Sequence, residues 1–409
     1  MAKIVLGILK ETKTPPDKRV PLIPAQCVEV MKRWPDVEVI VEKSDIRSYR
    51  DEEYAALGIR LVDRANEADI LMGVKEVKIE YLIPNKKYFF FSHTFKKQAH
   101  NRKLLQAILA NKIQLIDYET LTDKNKQRII GFGRYAGIVG CYNAFLAYGK
   151  KHGLYKLKPA HQCADRKEME LEIKKITLPA DMKIVITGSG RVGGGAIEII
   201  KLANIKEVSA HDFLTQTYQE PVYTQLDAKD YYAKADGSPF DSAAFHKSGV
   251  GHISTFSQYL KVANMYIPCH YWSSSSPVII TREDLADPEC KTTVISDISC
   301  DIAEPIASTL RPSTIAEPHY GYDPQTGLET DFMNARAIGV VAIDNLPCEL
   351  PKDASVDYGN DLINRVLPHL FGPDPDRIIE RASETDLHGN LMPDFNYLAD
   401  YAGISSKQS

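Results

Sequence analysis

A short strand followed by a glycine-rich turn and a helical pattern constrains the fold of this chain most. The apolar segment 182–187 (MKIVIT) runs directly into GSGRVGGG at 188–195, and a helical pattern follows. In such a turn Gly188 permits the tight bend, Gly190 lets the backbone approach a pyrophosphate, and Gly193 allows close helix–strand packing. The N-terminus of the helix would offer free N–H groups to phosphates. We predict a dinucleotide-binding βαβ unit here, and the alternative is a glycine turn that serves packing only.

An acidic residue downstream of the glycine turn carries the prediction of the cofactor. Asp212 lies nineteen residues after Gly193, at the end of a predicted strand over 207–212. A carboxylate at this spacing would accept hydrogen bonds from the adenosine ribose and would repel a 2′-phosphate. No arginine follows Asp212 directly, which favours NAD over NADP. Arg191 inside the loop argues the other way, because its guanidinium could meet a phosphate.

Strands and helices alternate in two separate parts of the chain. The first alternation occupies roughly the first 130 residues, and the second runs from 182 to about 344. Strands separated by helices form parallel sheets with covered faces. We therefore predict an α/β protein with two Rossmann-like domains, parallel sheets and an active site in the interdomain cleft. The predicted substrate domain comprises residues 1–134 and 347–409, and the predicted NAD(P)-binding domain comprises residues 135–346.

Hydrophobic periodicity predicts the individual elements. Besides the two strands given above, predicted strands cover 3–9, 37–41, 68–74, 88–92 and 113–117, and predicted helices cover 24–33, 101–111, 137–151, 165–176, 356–370 and 376–382. The long polar stretch 213–261 contains few apolar runs and is predicted to be a surface excursion.

Charge and cysteine content exclude several functional classes. The 50 Lys and Arg residues nearly balance 54 Asp and Glu residues, so no basic field favours nucleic acid or an anionic membrane. No apolar stretch near the start is long enough for a signal peptide or a membrane span. Seven scattered cysteines without C-x-x-C spacing indicate reduced thiols in a cytoplasmic protein and no metal site. The oligomeric state is left open.

Two side chains capable of proton transfer follow neighbouring predicted strands. Lys75 comes after the strand that ends at Val74, and His93 comes after the strand over 88–92. Ligands of parallel sheets bind beyond the carboxyl ends of the strands, so both side chains are predicted to face one pocket. A lysine in a partly dry cleft has a lowered pKa and can accept a proton, and a histidine can serve as acid or base. The alternatives are a surface ion pair for Lys75 with Glu76 and a structural hydrogen bond for His93.

Further charged side chains near these strands are candidates for substrate binding. Arginines can hold carboxylates through two parallel hydrogen bonds. Each member of the group has the alternative of a solvated surface charge: Arg19, Lys96, Glu119 and Arg128.

Several motifs in a fixed order resemble the superfamily of alanine dehydrogenases, transhydrogenases and saccharopine dehydrogenases. They are Leu9-Lys10-Glu11-Thr12, Arg19-Val20-Pro21-Leu22, Gly73-Val74-Lys75-Glu76, Phe91-Ser92-His93-Thr94-Phe95-Lys96, Asp117-Tyr118-Glu119, Arg128-Ile129-Ile130-Gly131-Phe132-Gly133, Tyr135-Ala136-Gly137, Ser296-Asp297-Ile298-Ser299-Cys300-Asp301 and a run from Ala342 to Pro351. Within the superfamily they are similar to the lysine-forming saccharopine dehydrogenases and to the lysine–ketoglutarate reductase half of bifunctional aminoadipic semialdehyde synthase. Alanine dehydrogenases typically have NMPGAVPRTS where this chain has IDNLPCELPKDAS, which favours the saccharopine branch.

The resemblance implies an oxidoreductase that interconverts saccharopine with lysine and 2-oxoglutarate, using NAD or NADP and binding a small amino-acid substrate. An alanine dehydrogenase-like enzyme of the same superfamily is the alternative. The resemblance implies Lys75 and His93 as the acid–base pair. Residues implied in substrate binding or in tuning the site are Arg19, Glu76, Lys96, Glu119 and Arg128, and residues implied in cofactor binding are Gly188, Gly190, Arg191, Val192, Gly193, Asp212, Ile343, Asp344 and Leu346.

Overall fold

A computed structural model of the chain, which describes residues 3–404, contains two compact units. Unit 1 combines the chain up to Phe132 with the chain from Pro351 onward, and unit 2 comprises Gly133–Leu350. The sequence placed the boundaries at 134/135 and 346/347, and the division into a substrate domain and a dinucleotide domain remains a prediction. Among residues 3–404, no helix combines the length and the apolarity that a membrane span requires.

The secondary structure follows the predicted alternation of strands and helices. The strands are β1 (Ile4–Ile8), β2 (Val37–Glu42), β3 (Arg60–Val62), β4 (Ile70–Met72), β5 (Lys87–Phe90), β6 (Gln114–Asp117), β7 (Lys183–Thr187), β8 (Lys206–Glu207), β9 (Val222–Leu226), β10 (Tyr232–Lys234), β11 (His252–Ser254), β12 (Met265–Pro268), β13 (Val294–Ser296), β14 (Tyr320–Asp323), β15 (Leu328–Thr330) and β16 (Ile338–Val341). The α-helices are α1 (Pro24–Arg33), α2 (Asp51–Ala55), α3 (Arg102–Ala110), α4 (Gly133–His152), α5 (Arg166–Ile173), α6 (Arg191–Leu202), α7 (Ala210–Thr215), α8 (Ala228–Tyr231), α9 (Ser242–Lys247), α10 (Ser257–Leu260), α11 (Arg282–Ala286), α12 (Pro351–Asp361), α13 (Leu367–Phe371), α14 (Ile378–Ala382) and α15 (Ala399–Ala402). A π-helical segment, Leu362–Val366, joins α12 to α13.

Unit 1 is built on a six-stranded parallel sheet in the order β3-β2-β1-β4-β5-β6. Successive strand residues alternate between two hydrophobic clusters, because side chains of a strand point to opposite faces. Met72 and Phe89 belong to one cluster, and Leu71 and Phe90 belong to the other. Both faces of the sheet are therefore covered, and only the strand ends are left to carry polar groups.

The C-terminal segment of the chain completes unit 1. Ser383 forms an antiparallel bridge with Ile116 of β6, and Glu384 N donates to Leu115 O at 2.8 Å. Phe395 and Leu398 then pack against Leu105 of α3. This segment, which was predicted to belong to the substrate domain although no contact with its sheet was predicted, thus lies beside β6 at the edge of the sheet.

Unit 2 contains an eight-stranded sheet in the order β15-β14-β16-β13-β12-β7-β9-β8. The six strands from β16 to β8 are parallel, whereas β14 and β15 are antiparallel to their neighbours. The α/β prediction is confirmed, but the sheet of unit 2 is mixed rather than purely parallel. A mixed edge is common where an antiparallel hairpin caps a parallel sheet.

Two glycines let helices α4 and α6 of unit 2 approach each other closely. A Cβ added at Gly137 would lie 1.9 Å from the carbonyl oxygen of Val192, and one added at Gly195 would lie 2.0 Å from that of Arg134. The helix predicted over 137–151 is confirmed and is buried along most of its length. Its small residues serve this close packing.

Two predictions for the region after α6 are wrong. The segment predicted as a strand over 207–212 forms only the two-residue edge strand β8 and then turns into α7, because Ser209 caps that helix by accepting a hydrogen bond from Asp212 N. The predicted surface excursion over 213–261 instead contributes β9 to the sheet and the fully buried side chains of Phe213 and Phe256 to the core. Its aromatic residues are spaced irregularly, so the periodicity did not reveal them.

Candidate functional site

The glycine turn of unit 2 has the geometry of a phosphate cradle. Strand β7 ends at Thr187, Gly188 takes the left-handed backbone conformation (φ +92°), and α6 begins after Gly190. A Cβ at Gly193 would lie 2.0 Å from the carbonyl oxygen of Gly188, so this position requires glycine. A Cβ at Gly190 would meet no described atom within 4 Å, which leaves open space at the helix N-terminus where a pyrophosphate fits.

The acid next to this cradle is Asp227, which the sequence analysis missed. The neighbour of β7 on this side is β9, in which Leu226 is aligned with Thr187, and Asp227 is the next residue. Ser189 Oγ, inside the glycine turn, donates to Asp227 Oδ1 at 2.5 Å. An acid directly after the strand beside β7 is the one that reaches the ribose hydroxyls of a bound dinucleotide.

Asp212 does not occupy that position, and its predicted role is corrected. Strand β8, which precedes it, pairs with β9 and not with β7. Asp212 lies in the first turn of α7, where its carboxylate accepts a hydrogen bond from Ser209 Oγ at 2.8 Å. The segment 222–227 (VYTQLD) was the available signal, but it lies further from the glycines than the usual spacing of roughly 20 residues.

The remaining predicted cofactor residues lie at the same edge of the sheet of unit 2. Arg191 and Val192 form the first turn of α6. Ile343 and Asp344 follow the carboxyl end of β16, and Ile343 is buried whereas Asp344 is exposed. Leu346 is buried close behind them. Their contact with a nicotinamide stays a prediction.

In unit 1, the half-buried side chain of Glu11 holds the turn that carries Lys75. Glu11, in the loop after β1, accepts hydrogen bonds from Val74 N at 2.6 Å and from Lys75 N at 2.9 Å. Burial and the nearby Asp17 raise the pKa of Glu11 to about 8. The loop after β1 therefore anchors the loop after the adjacent strand β4, which fixes the backbone of Lys75.

The Lys75 side chain is half-buried and lies near a buried ion pair. Burial and the positive charge of Arg19 lower its pKa, although Asp17 opposes this effect. Arg19 and Asp17 are 3% and 2% exposed, and Arg19 NH2 lies 2.6 Å from Asp17 Oδ2. The Arg19 guanidinium also stacks 4.1 Å from the ring centroid of Phe132. The arginine predicted as a substrate clamp thus has a demonstrated partner in Asp17 and tunes Lys75 electrostatically.

His93 and Glu76 form a direct pair beside Lys75. His93 Nδ1 lies 2.9 Å from Glu76 Oε1, and Lys13 Nζ lies 2.9 Å from Glu76 Oε2. Burial alone would raise the pKa of Glu76, but the hydrogen bonds from His93 and Lys13 lower it to about 2. Because Glu76 directly follows Lys75, the contact of Glu76 with His93 brings the two predicted proton carriers to one edge of the sheet.

A second carboxylate faces the other nitrogen of His93. Glu119 Oε2 lies 3.8 Å from His93 Nε2, and Glu119 Oε1 lies 2.9 Å from Lys96 Nζ. Arg128 pairs with the same carboxylate oxygen. Arg128 and Lys96 lower the pKa of Glu119 against the effect of burial. The structure thus brings together Lys75, Glu76, His93, Lys96, Glu119 and Arg128.

The sequence analysis missed three charged residues of this edge. Glu11, Lys13 and Asp17 all lie in the loop after β1. Glu11 belongs to the motif Leu9-Lys10-Glu11-Thr12 and Lys13 follows it directly, so the sequence did point to this loop. A loop has no periodicity, however, from which the direction of its side chains could be predicted. Among the described residues, no group of three or more His, Cys, Asp or Glu side chains could hold a metal ion.

Comparisons with known proteins agree with this architecture. Residues 7–139 match the family model "Alanine dehydrogenase/PNT, N-terminal domain". The chain is similar to solved structures of an L-alanine dehydrogenase (TM-score 0.62, 17% identity, 97% of this chain and 99% of that chain) and of a transhydrogenase from Sinorhizobium meliloti (TM-score 0.60, 15% identity, 95% of this chain and 98% of that chain). At these identities the structural likeness concerns the fold alone, and it confirms the predicted pair of Rossmann-like domains.

Two kinds of curated relative are similar in sequence. The α-aminoadipic semialdehyde synthases of Arabidopsis thaliana and Bos taurus are 27% and 28% identical over 88% and 92% of this chain, which spans only 38% and 45% of their length. The saccharopine dehydrogenase [NAD(+), L-lysine-forming] of Neurospora crassa is 25% identical over 90% of this chain and 91% of that protein. These similarities support the resemblance to the branch of the alanine dehydrogenase and transhydrogenase superfamily that contains the saccharopine dehydrogenases and α-aminoadipic semialdehyde synthases.

Proposed function

We propose that this chain is a nicotinamide-dependent oxidoreductase that interconverts saccharopine with lysine and 2-oxoglutarate. The observation that carries the proposal is the half-buried Lys75, with its lowered pKa, next to the hydrogen-bonded pair of His93 and Glu76. The similarity to the L-lysine-forming saccharopine dehydrogenases of Neurospora crassa and two other fungi supports the same substrate.

The proposed cofactor is NAD rather than NADP, and Asp227 is the residue that selects it. A carboxylate at the end of the strand beside β7 would accept hydrogen bonds from the ribose hydroxyls. The same carboxylate would repel the dianionic 2′-phosphate of NADP. Asp227 takes over the role that the sequence analysis gave to Asp212, and the preference for NAD is kept on a different residue.

The oxidation of a secondary amine requires a neutral nitrogen, because an ammonium has no lone pair to assist the departure of a hydride. Lys75 Nζ would accept the proton of the substrate ammonium, and its lowered pKa favours the neutral amine that this step needs. The nicotinamide, when bound, accepts the hydride from the adjacent carbon. His93 would then take a proton from the water that adds to the C=N bond and return it to the nitrogen as the C–N bond breaks.

The charges around His93 fit the charges of the substrate. Saccharopine carries three carboxylates and two amines. Lys96 and Arg128 are each more than a third exposed, so their cations are available to substrate carboxylates. Glu119 lies between them and is available to an amine. We propose these contacts as the basis of substrate recognition. The proposed role of Arg19 is to lower the pKa of Lys75 by its positive charge.

The direct test is the absorbance change at the reduced-nicotinamide band with three substrate sets: lysine plus 2-oxoglutarate with NADH, saccharopine with NAD, and pyruvate plus ammonia with NADH. We expect turnover with the first two sets. Turnover with only the third set would replace the proposal by an alanine dehydrogenase-like activity. Absence of turnover with all three, in a protein that still binds NADH by fluorescence, would refute the proposed reaction.

A further inference from the structure

A buried chain of hydroxyls and carboxyls lies directly behind His93. Its members are Ser92 and Thr94, which flank His93 in sequence, Asp117 at the end of β6, and Glu384 from the C-terminal segment. All four residues are 0% exposed. None of them has a part in the reaction proposed above, and Glu384 lies in a region of the sequence to which no motif belongs.

Three short oxygen–oxygen contacts link the four side chains in a line. Asp117 Oδ2 lies 2.6 Å from Ser92 Oγ, Ser92 Oγ lies 2.6 Å from Thr94 Oγ1, and Thr94 Oγ1 lies 2.6 Å from Glu384 Oε2. A fourth and longer contact of 3.2 Å joins Ser92 Oγ to Glu384 Oε1. Each 2.6 Å contact has the length of a hydrogen bond between oxygens, so each needs one proton.

The count of protons requires a protonated carboxyl. The hydroxyls of Ser92 and Thr94 supply only two protons for the three short contacts. The third proton must therefore sit on Asp117 or on Glu384. If both were carboxylates, two negative charges would share the same two hydroxyls in a fully buried place, which is unfavourable.

More backbone N–H groups face Asp117 than Glu384, which has one such donor, Phe95, so we place the proton on Glu384 although burial raises the pKa of both groups. Asp117 accepts hydrogen bonds from three backbone N–H groups, those of Ser92 at 2.7 Å, His93 at 3.2 Å and Glu119 at 2.6 Å. Such donors stabilise a carboxylate. Burial and the proximity of Asp117 raise the pKa of Glu384 to about 8. The resulting order of donation is Glu384 to Thr94, Thr94 to Ser92, and Ser92 to Asp117.

The chain of hydrogen bonds holds His93 in an unusual backbone conformation. His93 has φ +55°, in the left-handed region that residues with a side chain seldom adopt. Ser92 and Asp117 are bonded on one side of this residue, and Thr94 and Glu384 are bonded on the other. The turn therefore aims the imidazole between Glu76 and Glu119 only as long as its two flanking hydroxyls are held.

We propose that Glu384 and Asp117 form a proton-sharing carboxyl pair that positions His93, with the proton on Glu384. Both are positioning residues, since they act through the turn at His93. The consequence for turnover rests on the proposed function, whereas the consequence for the imidazole does not.

Glu384 reaches this place through backbone pairing. Its N–H donates to Leu115 O, and its carbonyl oxygen accepts from Met392 N at 2.9 Å. The other titratable side chains near its carboxyl group are Tyr397 and Tyr401, whose hydroxyls donate to the carbonyl oxygens of Phe95 and Gln98. Neither tyrosine carries a positive charge, so a shared proton is the counter-charge that we assign to the pair.

The test compares Glu384→Gln, Glu384→Ala and Asp117→Asn with a matched control, Glu380→Gln, which makes the same change at an exposed residue of α14 paired with Arg377. An amide at 384 can still donate to Thr94, whereas an amide at 117 would direct its N–H groups at backbone N–H groups. The imidazole of His93 is followed by ¹⁵N NMR, assigned with His93→Gln, and turnover is measured with lysine plus 2-oxoglutarate.

We expect Glu384→Ala and Asp117→Asn to shift the His93 resonances and to lower kcat by about tenfold or more with a smaller change in KM, because the reacting group is misplaced. In Glu384→Gln and Glu380→Gln, the His93 resonances and kcat should stay close to those of the wild-type protein. Unchanged His93 resonances in Glu384→Ala would overturn the proposal. It would also be overturned if Asp117→Asn kept the wild-type His93 resonances and kcat while Glu384→Gln lost them. If the wild-type protein turns over none of the substrates, the proposed reaction fails while the NMR comparison still decides this proposal.

A second measurement covers the case in which Glu384→Ala does not fold. A carboxyl whose pKa rises on folding from 4.5 to about 8 gives its full contribution to stability below about pH 4.5, and that contribution is lost as the pH rises to about 8. The amide of Glu384→Gln does not titrate. The Tm of Glu384→Gln relative to wild type should therefore increase from about pH 5 to about pH 8, and a difference that is constant with pH would contradict a protonated Glu384.

Discussion

The carboxyl edges of the two sheets are built in opposite ways. The edge of unit 1 is crowded with charged and polar side chains that pair with one another, such as Glu76 with His93 and Glu119 with Lys96. The edge of unit 2 depends instead on residues without a side chain, namely Gly188, Gly190 and Gly193, and on the backbone N–H groups at the start of α6. Both edges follow the same topological rule that ligands bind beyond the strand ends.

The difference reflects what each edge has to do. A proton carrier needs charged neighbours that set its pKa, so other side chains must pack closely around it. A pyrophosphate needs backbone donors at close range, so a Cβ in its way is harmful. We therefore expect unit 1 to respond to changes of charge and unit 2 to changes of volume, and the following predictions test this comparison in order of decreasing effect.

The largest effect is expected from Lys75→Met, which removes the proposed proton acceptor while keeping the apolar stem. Turnover should fall by about 10²–10⁴-fold, the usual contribution of a positioned acid or base. The binding of NADH, followed by fluorescence titration, should change by no more than a few-fold. Lys78→Met, three residues further along at an exposed position, serves as the control. Near wild-type turnover in Lys75→Met would show that Lys75 is not the proton acceptor of the reaction.

A change of volume in unit 2 is tested by a pair of adjacent glycines. Gly193→Ala places a Cβ 2.0 Å from the carbonyl oxygen of Gly188, whereas Gly194→Ala meets no described atom within 4 Å. Urea unfolding should show Gly193→Ala destabilised by about 1–3 kcal/mol, and Gly194→Ala unchanged or stabilised by about 0.5–1 kcal/mol. Equal effects of the two substitutions would show that space at the turn is not the constraint.

One charge is expected to matter in unit 2, and it decides the cofactor. Asp227→Ala should raise the ratio of kcat/KM for NADPH over NADH by about tenfold or more, because repulsion of the 2′-phosphate is removed. The control is Asp212→Ala, which removes the acid originally predicted for this role and should leave the ratio unchanged. If Asp212→Ala changed this ratio and Asp227→Ala did not, Asp212 rather than Asp227 would be the acid that selects the cofactor.

The smallest effect is expected from Glu76→Gln. The carboxylate of Glu76 raises the pKa of Lys75 slightly against the stronger lowering by burial and Arg19. Lys75 must be neutral to accept a proton from saccharopine, so the acidic limb of the pH profile for saccharopine oxidation should move to lower pH in the variant. A limb that moves to higher pH would contradict the electrostatic coupling within unit 1.

Several features of both edges could be predicted because they depend on neighbouring residues alone. The strand and glycine turn around Gly188 were predicted from one continuous segment, and their geometry is as expected. Lys75 and His93 were placed at strand ends by the apolar runs before them, which the strands β4 and β5 bear out. The buried pair of Arg19 with Asp17 could not be predicted, since a loop gives no indication of the direction of its side chains.

What the amino-acid sequence determined by itself was therefore the α/β alternation, the glycine turn and the positions of Lys75 and His93 after strand ends, since these follow from periodicity and local conformational preference. Only the tertiary structure decided that β9 rather than β8 lies beside β7, which makes Asp227 the proposed ribose-binding acid. It also decided that Glu384 lies behind His93, almost three hundred residues away along the chain. Both facts depend on which distant segments pair, and hydrogen-bond pairing between strands is chosen by the whole core and not by the residues within either strand.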